Sequence, residues 1–156
     1  MFQIRKSLLV SLAASLLAVT TWLPSVSAQD ARAAQQVKLR QSAYTVLGAQ
    51  MGLMGAMAAG RAPYDANAFR AAAERAAAMG NYVPELFPAG SITPNSKAKP
   101  ELWQQQAEFQ RLMKDMQGKV TALATTARGG DLEALKPAFG STGASCKACH
   151  DKYKAD

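Results

Sequence analysis

Cys146, Cys149 and His150 are residues whose types and spacing can do chemistry together. They fall in the run Cys146-Lys147-Ala148-Cys149-His150 near the C-terminus, and His150 is the only histidine in the chain. On a helix, positions three and four apart share a face, so two thiols and an imidazole would project the same way. Cys-x-x-Cys-His is a pattern at which haem is attached covalently. Each thiol adds across a vinyl group to give a thioether, and the adjoining imidazole supplies an axial nitrogen to the iron. The expectation is one covalently attached haem c, with Cys146 and Cys149 as thioether residues and His150 as the metal ligand. Other chemistries use the same residues. A thioredoxin-like pair belongs in a βαβ setting, and no strand-like segment lies nearby. Zinc asks for about four ligands, and a third cysteine or second histidine is missing. A plain disulfide remains open, because the chain carries the marks of export.

Those marks are N-terminal. Arg5 and Lys6 precede the apolar run from Leu8 to Val19, and Val26-Ser27-Ala28 supplies small residues before Gln29. This is the layout of a secretory signal over residues 1–28, cleaved after Ala28. Thr20, Thr21 and Pro24 interrupt the run well short of a membrane span. The expected product is a soluble periplasmic protein of residues 29–156, forming one domain. The formal charge is +7, and loss of Arg5 and Lys6 would lower it by two. A modest positive charge suits solubility and an acidic partner. No basic run is interleaved with aromatics, so nucleic acid is not an expected partner.

Elements must position the motif, and the region is rich in Ala, Leu, Met and Gln with few β-branched residues, which predicts helices. A first helix is expected from about Asp30 to Ala59. Val37, Tyr44, Met51 and Ala58 recur every seven residues, with Arg40, Leu47 and Met54 on the adjoining row. Gly60 to Pro63 stops it. Asp65 is a good N-cap for a second helix reaching about Met79, with Phe69, Ala72, Ala73 and Ala76 inward. Small residues there would admit a neighbouring helix or a flat ligand. Gly80 to Lys99 reads as one long crossover loop. Pro100 and Glu101 open a third helix, with Leu102, Phe109, Met113, Met116, Val120 and Leu123 on one seam, and Gly129-Gly130 ends it. Asp131 caps a fourth helix reaching about Tyr153, with Pro137 and Gly140 disturbing its first turns. The fold class is all-α, an antiparallel four-helix bundle with the haem motif near the C-terminus of the fourth helix.

With His150 on one side of an iron, no second histidine is left for the other. Methionine is the next candidate, and Met51, Met54, Met57, Met79, Met113 and Met116 follow the signal segment. Methionine at helical spacing is more often core filler than ligand.

The chain resembles the cytochromes c prime, the class II c-type cytochromes. The resemblance rests on Val37-Lys38-Leu39-Arg40-Gln41-Ser42, Ala62-Pro63-Tyr64-Asp65, Lys99-Pro100-Glu101-Leu102-Trp103, Ala138-Phe139-Gly140, and Gly143 through Tyr153 around the haem motif. It implies a five-coordinate, high-spin iron whose distal face is blocked by a side chain of the first helix, here Tyr44. Most relatives carry an aliphatic residue at that position, so Tyr44 is a departure. Low-spin relatives place a ligating methionine near it, whereas Met51 lies about 10 Å further along the helix. Arg40 and Gln41 match positions that hold a haem propionate, a task that suits a guanidinium. Lys97 corresponds to a further propionate contact. Phe87 and Trp103 are expected near the haem edge or in ordinary core, and Lys154 beside His150. Nitric oxide and carbon monoxide are the implied ligands, with a homodimer formed through the first two helices, to which Ala56, Ala59 and Tyr64 could contribute. The rival reading is a low-spin electron carrier with a methionine sixth ligand and a redox partner protein. An enzyme such as a peroxidase would want a distal acid–base group, for which only Tyr44 is available.

Overall fold

The computed structural model describes residues 26–155, so the signal segment lies outside the described residues apart from its last three. Five helices follow in order: α1 (Val26–Ala58), α2 (Ala66–Tyr82), α3 (Glu101–Gln104), α4 (Gln106–Ala127) and α5 (Leu132–Tyr153). The four long ones form an antiparallel bundle, as the sequence predicts. Among the described residues there is no strand, only an isolated antiparallel bridge between Ala98 and Lys154.

The turns follow from local chemistry. The Asp65 carboxylate accepts hydrogen bonds from the backbone N–H of Asn67 and Ala68, at 2.9 and 3.0 Å, satisfying donors the first turn of α2 would otherwise leave open. Asp131 does the same for Glu133 at the start of α5. Gly60 and Gly130 take positive φ (67° and 70°) where α1 and α4 end. Pro137 is accommodated inside a continuous α5.

Two boundaries differ from the sequence expectation. The segment read as a single loop from Gly80 is helical through Tyr82, then forms a 3-10 turn over Val83–Leu86. The long third helix is broken at Gln105 (φ −111°, ψ 44°), which separates α3 from α4. Tyr64 faces inward: its hydroxyl donates to the Gly130 carbonyl at 2.9 Å and its ring packs on Phe69, so it ties two turns of one chain together.

The core lies between α1, α2 and α4. Phe69, Ala72, Ala73 and Ala76 of α2 are fully buried, as is the whole predicted seam of α3 and α4. The small residues of α2 serve a neighbouring helix rather than a flat ligand. A Cβ on Gly80 would stand 2.7 Å from Val120 Cγ1. Helices α1 and α5 touch far less than the other neighbouring pairs. On the outside of α1, Leu39, Val46 and Leu53 are exposed at seven-residue intervals.

Candidate functional site

The gap between α1 and α5 is a cavity of about 930 Å³. Cys146, Cys149 and His150 line it from α5, with Phe139 and Gly143; no residue of α2 contributes. Tyr44, Gly48, Met51, Gly52 and Gly55 line it from α1, one face of that helix at spacings of three and four. Phe87 and Lys97 enter from the crossover segment. Trp103 does not line it; its indole N–H donates to the Pro88 carbonyl at 3.1 Å.

Glycine makes the cavity a slot. A Cβ placed on Gly48, Gly52 or Gly143 would meet nothing within 4 Å. At these positions the facing walls are bare backbone, which a flat group can approach closely. Sequence reasoning passed over these glycines. Gly48, Gly52 and Gly55 on one face of α1, each costing about 1 kcal/mol against alanine, were the available signal.

Both thiols are free and half-buried. Burial pushes the Cys146 thiol up, and burial with the neighbouring Cys146 pushes Cys149 up to about 11, so both stay neutral at ordinary pH. His150 is lowered by desolvation and then by Lys154, partly offset by Asp151. A neutral imidazole, with a free lone pair, results. The Tyr44 phenol is pushed up by burial and by both thiols, and its hydroxyl makes no hydrogen bond among the described residues.

Arg40 is only 4% exposed. Its terminal nitrogens donate to the Leu86 carbonyl (3.0 Å), the Ser91 hydroxyl (2.7 Å), the Ser91 carbonyl (2.6 Å) and the Ser96 hydroxyl (3.3 Å). Its guanidinium also lies 4.8 Å from the Phe87 ring centre. All partners are neutral, and burial lowers its pKa. Four of its five N–H groups hold the loop, leaving Nε–H for anything else. Gln41 donates to the Asn95 carbonyl at 3.0 Å. Lys97 is placed by pairing of its segment with the chain end: Ala155 N–H donates to Lys97 O at 2.8 Å, and Lys99 N–H to Tyr153 O at 2.9 Å.

Among the described residues the cavity is lined by Arg40, Arg61, Lys97 and Lys154 and by no aspartate or glutamate. A buried cation without a carboxylate, two thiols, a neutral imidazole and glycine walls fit a flat, doubly anionic, thiol-linked macrocycle. Among the methionines, Met54, Met57, Met113 and Met116 are buried in the core, and only Met51 lines the cavity.

The family model described as Cytochrome C' matches residues 35–154. The chain belongs to the cytochrome c prime family. It is 38% identical to cytochrome c′ of Alcaligenes xylosoxydans xylosoxydans over 126 residues, covering 81% of this chain and 98% of that one. Cytochrome c prime from Shewanella frigidimarina superposes with a TM-score of 0.77 at 39% identity, covering 80% of this chain and 97% of that structure. A ferrous variant of the Alcaligenes xylosoxidans cytochrome c prime with bound nitric oxide matches with a TM-score of 0.75 at 37% identity, covering 80% and 96%. The cytochromes c prime are haem proteins, and the four-helix bundle described above is the fold of this family.

Proposed function

We propose that the chain is an exported cytochrome c prime, cleaved after Ala28, that carries one haem c and binds nitric oxide and carbon monoxide in the periplasm. The observation that carries the reading is the slot itself: two thiols and a neutral imidazole on one wall, with glycines and an unpartnered tyrosine hydroxyl opposite. Bound haem supplies an iron that takes a small diatomic gas as a ligand. Cys146 and Cys149 would hold the group by thioethers, and His150 would present its imidazole nitrogen. Arg40 would answer a propionate through its charge and its remaining Nε–H, since its other donors hold the loop. Gln41 and Lys97 line the same rim. Tyr44 narrows the space facing His150 and excludes water from it; no protein atom competes for its hydroxyl. A second copy would meet the chain along the exposed Leu39, Val46 and Leu53 stripe of α1.

A second reading is favoured by one observation. Met51 lines the cavity, so a low-spin electron carrier with Met51 as sixth ligand is the alternative. Its Cα lies seven residues, about 10 Å along the axis, from that of Tyr44. Optical spectra of the exported protein, oxidised, reduced and reduced under carbon monoxide, separate the two. A broad high-spin spectrum that shifts with gas is expected. A sharp low-spin spectrum unmoved by gas, becoming gas-sensitive in Met51→Leu, would replace the gas-binding reading with the electron carrier.

A further inference from the structure

A second pocket of about 240 Å³ lies on the far side of the crossover segment, between the 3-10 turn and α4. Gln106, Gln110, Met113 and Gln117 line it from one face of α4, and Pro84 from the turn. Gln106 and Gln110 are exposed, whereas Leu102, Phe109 and Met113 are buried, so the pocket has a polar rim and an apolar floor. Phe87, Leu102 and Phe109 line both this pocket and the main cavity. The two spaces are therefore separated by a wall one side chain thick.

The wall is not uniform. Leu102 and Phe109 sit on helices and are almost wholly buried. Phe87 ends the 3-10 turn in irregular backbone (φ −118°, ψ 48°) and is half-buried. Its ring meets Phe109 edge-on at 5.1 Å and Tyr44 at 6.4 Å. Phe87 thus touches the wall on one side and the Tyr44 flank of the cavity on the other. A rotation of this one ring joins the two spaces, and side-chain rotation in a loop is fast compared with helix movement.

We propose that the second pocket is an antechamber for small neutral diatomic molecules, which pass into the main cavity through a gate formed by Phe87 against Leu102 and Phe109. The inference rests on the gas-binding reading above and adds a route. A macrocycle held between α5 and α1 would occupy the slot, and a path through protein would then serve a ligand bound for the Tyr44 side. The pocket's apolar floor of Leu102, Phe109 and Met113 suits an uncharged molecule of a few atoms. The glutamine rim keeps the opening wet.

The test uses the haem-loaded protein, with xenon as an inert probe and carbon monoxide as the ligand. Crystals under xenon pressure should show xenon over Leu102, Phe109 and Met113. Phe87→Ala should speed carbon monoxide association by roughly tenfold. The pair Gln106→Trp and Gln110→Trp, both on the exposed rim, should slow it several-fold and displace xenon while leaving the haem spectrum unchanged. A pocket free of xenon, or an association rate blind to all three substitutions, overturns the antechamber. A wild-type protein that takes up no carbon monoxide overturns the gas-binding reading itself, and xenon then decides the pocket alone.

Discussion

Replacing Arg40 by methionine, which keeps most of the volume and removes the charge, tests how the crossover segment is held over the site. The guanidinium makes four hydrogen bonds to that segment. Two of its acceptors have other partners: the Ser91 hydroxyl donates to the Pro88 carbonyl at 2.6 Å, and the Ser96 hydroxyl accepts from the Ala98 N–H at 3.1 Å. The uncompensated loss falls on the carbonyls of Leu86 and Ser91. An unsatisfied buried acceptor costs about 1–3 kcal/mol. Against this, methionine removes a cation buried without a counter-charge, which returns part of its desolvation cost. The net expectation is a loss of about 2–4 kcal/mol. Urea unfolding followed by circular dichroism measures it, and amide exchange over residues 86–96 shows where it falls. Exchange should accelerate there and not in α2 or α4. A loss under about 0.5 kcal/mol with loop exchange unchanged would refute the latch.

Gly52→Phe should fill the slot with a ring and lower haem content per chain to a small fraction. The haem-free chain should keep or raise its melting temperature, because glycine is the poorer helix former. Full haem loading would show that the glycine face is not the wall of the site. Glu108, between Arg111 and Lys152, has its pKa lowered to about 2 by hydrogen bonds from Arg111 and then Lys152. Its folded pKa is below the ordinary 4.5, so its contribution is complete above that value and lost as pH falls towards 2. Glu108→Gln should flatten the stability profile in that window, read by acid titration of the far-UV signal. Gly80→Ala should cost about 1–3 kcal/mol through overpacking on Val120. Adding Val120→Ala should recover part of it, whereas simple additivity of the two losses would contradict the close approach.

Burial explains why the bundle was legible. Leu102, Phe109, Met113, Met116, Val120 and Leu123 recur at helical spacing because one face must leave water, and all are buried. Asp65 and Asp131 announce their caps because few other residues satisfy a first turn. The break at Gln105 has no such sign: neither glycine nor proline marks it. The 3-10 turn hides among prolines that also read as loop. Cys146, Cys149 and His150 stand out by type, but the opposite wall is defined by side chains that are missing. Gly48, Gly52 and Gly55 mark one face of α1 in the sequence, but what that face meets is visible only once α1 is seen facing α5. Arg40 reads as a partner for a propionate; that it also holds the crossover segment through loop carbonyls and hydroxyls is a preference that no local pattern records.

The walls of the slot come from the two ends of the chain. Helix α1 is the first described element and α5 the last, and the strip of residues 97–99 is fastened to residues 153–155. Closing the site therefore means closing a loop that spans most of the described residues, a costly step in chain entropy with little direct α1–α5 contact to reward it. Helices α1, α2 and α4 pack on one another without α5, which carries the thiols. A group bonded to α5 and packed on α1 would then act as a cross-link between beginning and end. On this view the same bonds that hold the group would also hold α5 against α1.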